Sequence, residues 1–207
     1  ICVAPNRVFV AENVKEKFTE KVVSRAKAAL VGFDKNKDIT TGPVIDKRAC
    51  ERIKGLIKDA VMNGAKLLVG GNRPKYLKKG YYISPTVLCD VTEEMQVYQQ
   101  ETFGPIVSLI SFSEETNLLN MANDCDEGGL TAYIFTTNQS RAEFYASKLR
   151  YGEIQINGVK YDIDLPHGGI GQSGIGHDCS SLALQDYLIQ KRITCSNNTY
   201  ELGKAIS

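Results

Sequence analysis

Ile106 to Phe112 is a nearly unbroken apolar run of strand length, opened by Gly104-Pro105. Such a run fits a strand buried on both faces, the setting of a parallel strand flanked by helices. The rest of the chain supplies that setting. Asn6 to Val10 alternates and is rich in β-branched and aromatic residues, as a strand requires. Asn13 to Leu30 places Val14, Phe18, Val22, Ala26 and Ala29 at helical spacing, with Lys and Glu between them. Gly42-Pro43 punctuates the chain, and Asp46 is placed to cap a second helix running to about Asn63 and stopping at Gly64. Lys66 to Val69 then reads as a short strand, and Tyr81 to Leu88, broken by Pro85, as an edge or bent strand. After Phe112 come a helix from about Glu114 to Asn123, a strand over Thr131 to Phe135, a helix over Ser140 to Leu149 and a strand over Glu153 to Ile156. A short helix is expected near Ser180 to Tyr187. Alternating strands and helices predict an α/β fold with a largely parallel sheet flanked by helices.

Bulk properties narrow the function classes. At 207 residues the chain can form one large domain, or a domain with an extension. A composition 43% hydrophobic and 24% charged is ordinary for a globular protein, and a net charge of +1 gives no reason to expect nucleic acid or a membrane surface as partner. No apolar run approaches the about 20 residues that cross a bilayer. Ile1 is neither an initiator methionine nor part of a signal peptide, so the chain reads as a fragment. The six cysteines show no Cys-x-x-Cys pair and no histidine at ligand spacing. Neither a disulfide framework nor a metal site is expected, and a reducing cytoplasm fits. Asn138-Gln139-Ser140 and Asn197-Asn198-Thr199 match the glycosylation pattern and read as chance matches without a secretory signal.

Three motifs carry the chemistry. Ile1-Cys2-Val3-Ala4-Pro5-Asn6-Arg7-Val8-Phe9-Val10 opens the chain, Gln100-Glu101-Thr102-Phe103-Gly104-Pro105 precedes the apolar strand, and Leu165-Pro166-His167-Gly168-Gly169-Ile170-Gly171-Gln172-Ser173-Gly174-Ile175-Gly176 forms a glycine-rich loop. Gly169 to Gly174 formally matches the Gly-x-Gly-x-x-Gly dinucleotide fingerprint, but Leu165-Pro166-His167 is a poor strand ending and position 194 is threonine where an acid is needed. The loop is therefore not read as a phosphate cradle. Its glycines suit close passage of backbone instead.

In order and separation the three motifs resemble the nucleophile segment, the Glu-x-Phe-Gly-Pro ribose motif and the Pro-Phe-Gly-Gly-x-Lys-x-Ser-Gly-x-Gly loop of the NAD(P)-dependent aldehyde dehydrogenases. Smaller matches such as Gly42-Pro43-Val44-Ile45, Ser84-Pro85-Thr86-Val87 and Leu130-Thr131-Ala132-Tyr133 spread the resemblance over essentially the whole chain. The flavour is that of succinate-semialdehyde and lactaldehyde dehydrogenases, although some of the former carry a second cysteine where this chain has Ala4. The resemblance implies a catalytic domain over residues 1–187 and an oligomerisation strand and tail over 188–207. Leu188 to Thr194 alternates as a strand would, and an unpaired edge at a chain end is a template for pairing with a second subunit. A strand folded back on its own domain is the alternative.

Each site residue then has an implied role. Cys2 is the nucleophile: its thiolate adds to an aldehyde carbonyl to form a thiohemiacetal, oxidation leaves a thioester, and water releases the acid. Read alone, a cysteine beside Val3 and Ala4 is a small buried hydrophobe. Glu101 accepts hydrogen bonds from the ribose hydroxyls of NAD or NADP, and Phe103 packs beside the nicotinamide. The alternative there is a solvated glutamate and a core phenylalanine. His167 stands where many members have a pocket phenylalanine, and Gly171 where many have lysine. A histidine there can hydrogen-bond a hydroxyl or carboxylate of a small aldehyde, or simply bond backbone within its loop. Tyr161 lies in the segment expected to line the substrate pocket, as does Asn157, and His177 is read as a helix-start residue. The family's general-base glutamate, oxyanion asparagine and cofactor domain precede the nucleophile, so residues 1–207 alone are not expected to turn over. A CoA-acylating aldehyde dehydrogenase and a non-catalytic structural relative are the alternative readings. Which aldehyde, which cofactor, and dimer or tetramer stay open.

Overall fold

A computed structural model describes residues 1–34, 38–113, 115–124 and 128–195. The strands are β1 (Val8–Ala11), β2 (Lys66–Val69), β3 (Thr86–Cys89), β4 (Ile106–Phe112), β5 (Thr131–Ile134) and β6 (Glu153–Ile156). The helices are α1 (Lys15–Ala28), α2 (Lys47–Met62), α3 (Gln96–Gln99), α4 (Glu115–Asn123) and α5 (Gln139–Lys148). One sheet has the order β1-β4-β3-β2, parallel between β1 and β4 and between β4 and β3, antiparallel between β3 and β2. β5 and β6 pair in parallel as a second sheet. The fold is α/β with mostly parallel pairing, as the sequence predicts.

Side-chain alternation along β4 builds two core layers. Ile106 and Ile110 join Ile53, Ile57 and Ala60 of α2 on one face, with Ile83, Leu88, Met95 and Val97. Leu109 and Val107 join Val10 and Val87 on the other, covered by Val22, Val23 and Ala26 of α1. α2 has Cys50, Ile53, Leu56, Ile57 and Ala60 buried at helical spacing, and Asp46 caps it by accepting from the Ala49 amide at 2.7 Å. Each fully buried aliphatic contributes about 1.5–3 kcal/mol, so this layer holds α2 in register. α1 is more lightly seated: Val14 and Phe18, expected on its apolar face, are exposed. Its first turn is a 3-10 turn over Glu12–Val14.

The structure corrects several expectations. The Tyr81–Leu88 strand shrinks to Thr86–Cys89 and is central rather than an edge. Pro85 precedes the ladder, so its missing N–H removes no sheet bond, and the Thr86 amide donates to Pro105 O at 2.8 Å. α3 has no counterpart in the sequence reading. The helix near Ser180 is a 3-10 helix over Ser181–Tyr187. The alternative of a strand folded back on its own domain is not seen: residues 188–195 pair with no described strand of this chain, and Ile189 is 97% exposed, which leaves their backbone groups for a partner. The expected helix start at Glu114, Cys125, the Asn197 glycosylation match and the rest of the tail lie outside the described residues.

Candidate active site

Because β1 and β4 are parallel neighbours, the segments leading into them emerge side by side at one edge of the sheet. The first carries Cys2 and the second Glu101. Cys2 sits in a tight turn in which the Ala4 amide donates to Ile1 O at 3.0 Å, and its thiol is exposed. The neighbouring Val3 is buried and its carbonyl accepts from the Tyr133 hydroxyl at 2.8 Å, which ties the turn to β5. Arg7, next in the segment, sends its guanidinium to the carbonyls of Met121, Ala122 and Asp124 at 2.8–3.0 Å. It also stacks over Phe9 and Tyr98 at 5.5 and 4.9 Å.

The Glu101 loop follows α3 directly. Glu101 is exposed, whereas Thr102 is buried, and Phe103 takes a left-handed φ of 39° with its side chain largely in solvent. The loop backbone is pinned from two sides. Asn6 Nδ2 donates to Gln100 O at 2.9 Å while its Oδ1 accepts from the Thr102 amide at 2.8 Å. Arg52 of α2 donates to Glu101 O at 3.1 Å and to Thr102 O at 2.6 Å. Glu101 is thus an exposed carboxylate on a constrained backbone, a fit for a ligand that offers two hydroxyl donors.

The second sheet links the glycine-rich loop to the Cys2 segment: Tyr133 of β5 bonds Val3 O, and Glu153 of β6 meets His167. His167 pairs with Asp178 through two backbone hydrogen bonds of 2.8 and 2.7 Å, and its ring Nδ1 contacts a carboxylate oxygen of Glu153. The other Glu153 oxygen accepts from Thr131 Oγ1 at 3.1 Å. A carboxylate only accepts, so the Nδ1 position bears the proton and Nε2 has no partner among the described residues. Tyr133 has its hydroxyl pushed up to about 12, chiefly by burial, then by a hydrogen bond with Tyr161 and by the charges of Tyr161, Glu153 and Cys2. Tyr133 is thus the residue that feels the Cys2 turn, Tyr161 and Glu153 together, and Glu153 in turn contacts His167. Tyr161 itself is exposed.

Backbone crowding explains part of the glycine content. A Cβ on Gly152 would lie 1.8 Å from Gly168 O, and one on Gly168 would lie 2.6 Å from Gly176 O. The second lies within the glycine-rich loop, where the sequence leads one to expect close backbone passage; Gly152 precedes β6 and is an addition. Two other expectations change. His177 begins no helix; its amide donates to Asp186 Oδ2 at 3.1 Å, beside the paired segment at Asp178. Asn157 is used structurally, exchanging two hydrogen bonds of 2.8 and 2.9 Å with the Thr136 backbone.

Tyr133, Glu153, Asn6 and Arg52 were not singled out from the sequence. Tyr133 and Glu153 lie on half-buried strands where alternation describes only burial, and Asn6 and Arg52 act across long sequence separations. Among the described residues, Cys50 and Cys89 are buried thiols, with burial pushing Cys89 up, and Cys2 and Cys195 are the exposed ones. No group of three His, Cys, Asp or Glu side chains able to hold a metal ion occurs among the described residues. No helix among them is long and apolar enough to cross a membrane.

Residues 1–193 match the family model described as "Aldehyde dehydrogenase family". A succinate-semialdehyde dehydrogenase [NADP(+)] 2 of Schizosaccharomyces pombe is 38% identical over 93% of this chain and 39% of its own length. The peroxisomal aminoaldehyde dehydrogenase 1 of Pisum sativum is 33% identical over 94% of this chain and 39% of its own. The crystal structure of succinate-semialdehyde dehydrogenase from Burkholderia pseudomallei superposes with a TM-score of 0.86 at 36% identity, covering 90% of this chain and 38% of that one. The chain thus spans well under half the length of these relatives. Matched along nearly all of its length in sequence and in fold, the chain belongs to the aldehyde dehydrogenase family.

Proposed function

We propose that this chain supplies the nucleophile and the ribose-binding loop of an enzyme that oxidises an aldehyde to a carboxylic acid with NAD or NADP. The observation that carries the reading is the emergence of the exposed Cys2 thiol and the exposed Glu101 carboxylate at one sheet edge, joined through Asn6. The Cys2 thiolate adds to the aldehyde carbonyl, forming a carbon–sulfur bond and an oxyanion. The cofactor, when bound, supplies the two-electron acceptor that raises this adduct to the oxidation level of a thioester. Water then attacks the thioester carbonyl, the carbon–sulfur bond breaks, and acid and Cys2 thiol are released. Glu101 holds the ribose hydroxyls of that cofactor, and Phe103 presents an apolar ring beside it. The general base and the oxyanion donor lie outside residues 1–207, which alone do not turn over.

On this reading His167 and Tyr161 line the substrate side of the site. With Nδ1 committed to Glu153, Nε2 is left for a hydroxyl, or for a carboxylate when the ring is protonated, which favours a small hydroxy- or carboxy-aldehyde. The relative named for succinate semialdehyde, a carboxy-aldehyde, supports that direction. Residues 1–187 form the catalytic domain, and the exposed apolar residues Leu188, Ile189 and Ile193 belong to a strand that pairs with a second subunit. Free thiols at every described cysteine fit a reducing cytoplasm.

The test is formation of reduced nicotinamide by the full-length polypeptide over a panel of short aldehydes, without and then with CoA. Activity without CoA that disappears in Cys2→Ala supports the reading. Activity only with CoA assigns the acylating reaction, and a folded, cofactor-binding but inactive protein assigns a structural role. Residues 1–207 assayed alone should be inactive. Deleting the segment from Leu188 onward should dissociate the oligomer on a sizing column.

A further inference from the structure

We propose that Asn6 and Arg52 are positioning residues that hold the Glu101 carboxylate in register with the Cys2 segment. This rests on the roles of Cys2 and Glu101 proposed above. From Gln100 O to Thr102 O the loop has no ladder or helix bond, yet four of its backbone groups are satisfied by these two side chains. Asn6 pairs with the backbone on both sides of Glu101, donating to Gln100 O and accepting from the Thr102 amide. Arg52 grips the two following carbonyls with one planar fork.

The two braces differ in what they join. Asn6 lies on the same segment as Cys2, so its amide is a one-side-chain link between thiol and ribose loop. Arg52 comes from α2, whose face toward the sheet is anchored by Ile53 and Ile57, so it ties the loop to the core. Oxidation of a sulfur-bound adduct requires the cofactor to sit against the carbon that Cys2 holds, within a fraction of an ångström. A carboxylate on an unbraced loop would keep its chemistry and lose that registration. The amide of asparagine suits the task because it ends in both a donor and an acceptor.

The experiment uses the full-length polypeptide carrying Asn6→Ala, Arg52→Met, Glu101→Gln, Cys2→Ala and the double variants with Glu101→Gln. NAD and NADP binding are measured by titration calorimetry, and KM is measured separately for cofactor and aldehyde. Asn6→Ala and Arg52→Met should each raise the cofactor Kd and KM about ten-fold (about 1.4 kcal/mol) with aldehyde KM nearly unchanged. In the Glu101→Gln background each penalty should largely vanish, because the brace acts through that carboxylate. Wild-type cofactor affinity in both variants, or penalties that add in full to that of Glu101→Gln, would overturn the proposal. Should Asn6→Ala fail to fold, Arg52→Met decides alone, since Arg52 is an exposed residue with one bond exposed and the other only part-buried. If Cys2→Ala stays active, or Glu101→Gln binds cofactor as tightly as wild type, the site reading itself fails and the proposal falls with it.

Discussion

Replacing Arg7 by alanine should loosen α4 without touching any residue proposed to meet substrate. The last carbonyls of a helix have no partners within it, and here Met121, Ala122 and Asp124 receive the Arg7 guanidinium at 2.9, 3.0 and 2.8 Å. The charge also sits at the negative end of the helix. The Asp124 contact is exposed, and water replaces it at little cost. The other two are partly buried and also accept from the hydroxyls of Tyr98 at 3.2 Å and Tyr151 at 2.8 Å, so the charge-assisted bonds contribute only about 1.5 kcal/mol each, the lower end of their range. Stacking on Phe9 and Tyr98 adds about 0.5–1 kcal/mol. The expected cost is therefore about 3.5 kcal/mol. Hydrogen exchange localises it: amides of α4 should lose protection by roughly 300-fold, while those of α2 and β4 keep theirs. Arg7→Lys should recover about half, since an ammonium keeps the charge but not the fork. Wild-type protection of α4 in Arg7→Ala, or full recovery in Arg7→Lys, would refute the capping argument.

Asp90, bonded to Lys15 at 2.6 Å and Lys66 at 2.8 Å, is held below the usual carboxylate range, by Lys15 first and then Lys66. A depressed folded pKa stabilises above the unfolded value of about 3.9 and that stability is lost as pH falls through the folded one. Asp90→Asn, which also tolerates the φ of 58°, should therefore cost about 1 kcal/mol in urea unfolding at neutral pH, with the difference shrinking below about pH 4; a pH-independent difference would contradict the pairing. Gly152→Ala should displace the His167 loop and cost more than about 2 kcal/mol, because the new methyl meets a backbone oxygen that cannot turn aside; an unchanged melting temperature would deny that approach. Ser108 is fully buried with no partner for its hydroxyl among the described residues, so Ser108→Ala should leave stability unchanged or raise it by up to about 1 kcal/mol, and a loss above that would reveal a bond to Oγ.

The elements legible in the sequence are those whose limits are local. β2, β4 and β6 begin and end where expected because glycine or proline flanks them or their apolar run ends. α2 was found from its cap at Asp46 and its stop at Gly64, which takes a φ of 103°. α3 escaped notice since four residues carry no helical period. Pro85 makes Tyr81 to Leu88 look like an edge strand, whereas it stands one residue before β3. At the site, Cys2, Glu101, Phe103, Tyr161 and His167 are legible only through motif resemblance. The contacts that organise them join residues such as Val3 and Tyr133 or Asn6 and Thr102, which no spacing rule connects. Glu153 illustrates the limit: on β6 it alternates like any half-buried strand residue, and only the fold reveals His167 beside it.

The position of the site on the sheet explains why no glycine fingerprint is needed here. In open parallel sheets, ligands with phosphates gather at the carboxyl ends of strands, where helix N-termini offer amides and positive potential. Cys2 and Glu101 stand at the opposite edge, ahead of β1 and β4, and the chain reaches Glu101 from the end of α3 rather than the start of a helix. The Arg52 guanidinium and Asn6 amide there are spent on loop backbone, and the exposed Glu101 carboxylate suits hydroxyl donors rather than phosphate oxygens. Glu101 therefore, on the proposed reading, holds the sugar and is the wrong group to hold a pyrophosphate. On the proposed reading, the phosphates of the dinucleotide belong to a region beyond residues 1–207, and precision at the reacting end depends on how firmly the Glu101 loop is tied to Cys2. Asn6 and Arg52 are the ties in the fold, so on that reading cofactor affinity should fall when either side chain is removed while the aldehyde KM holds.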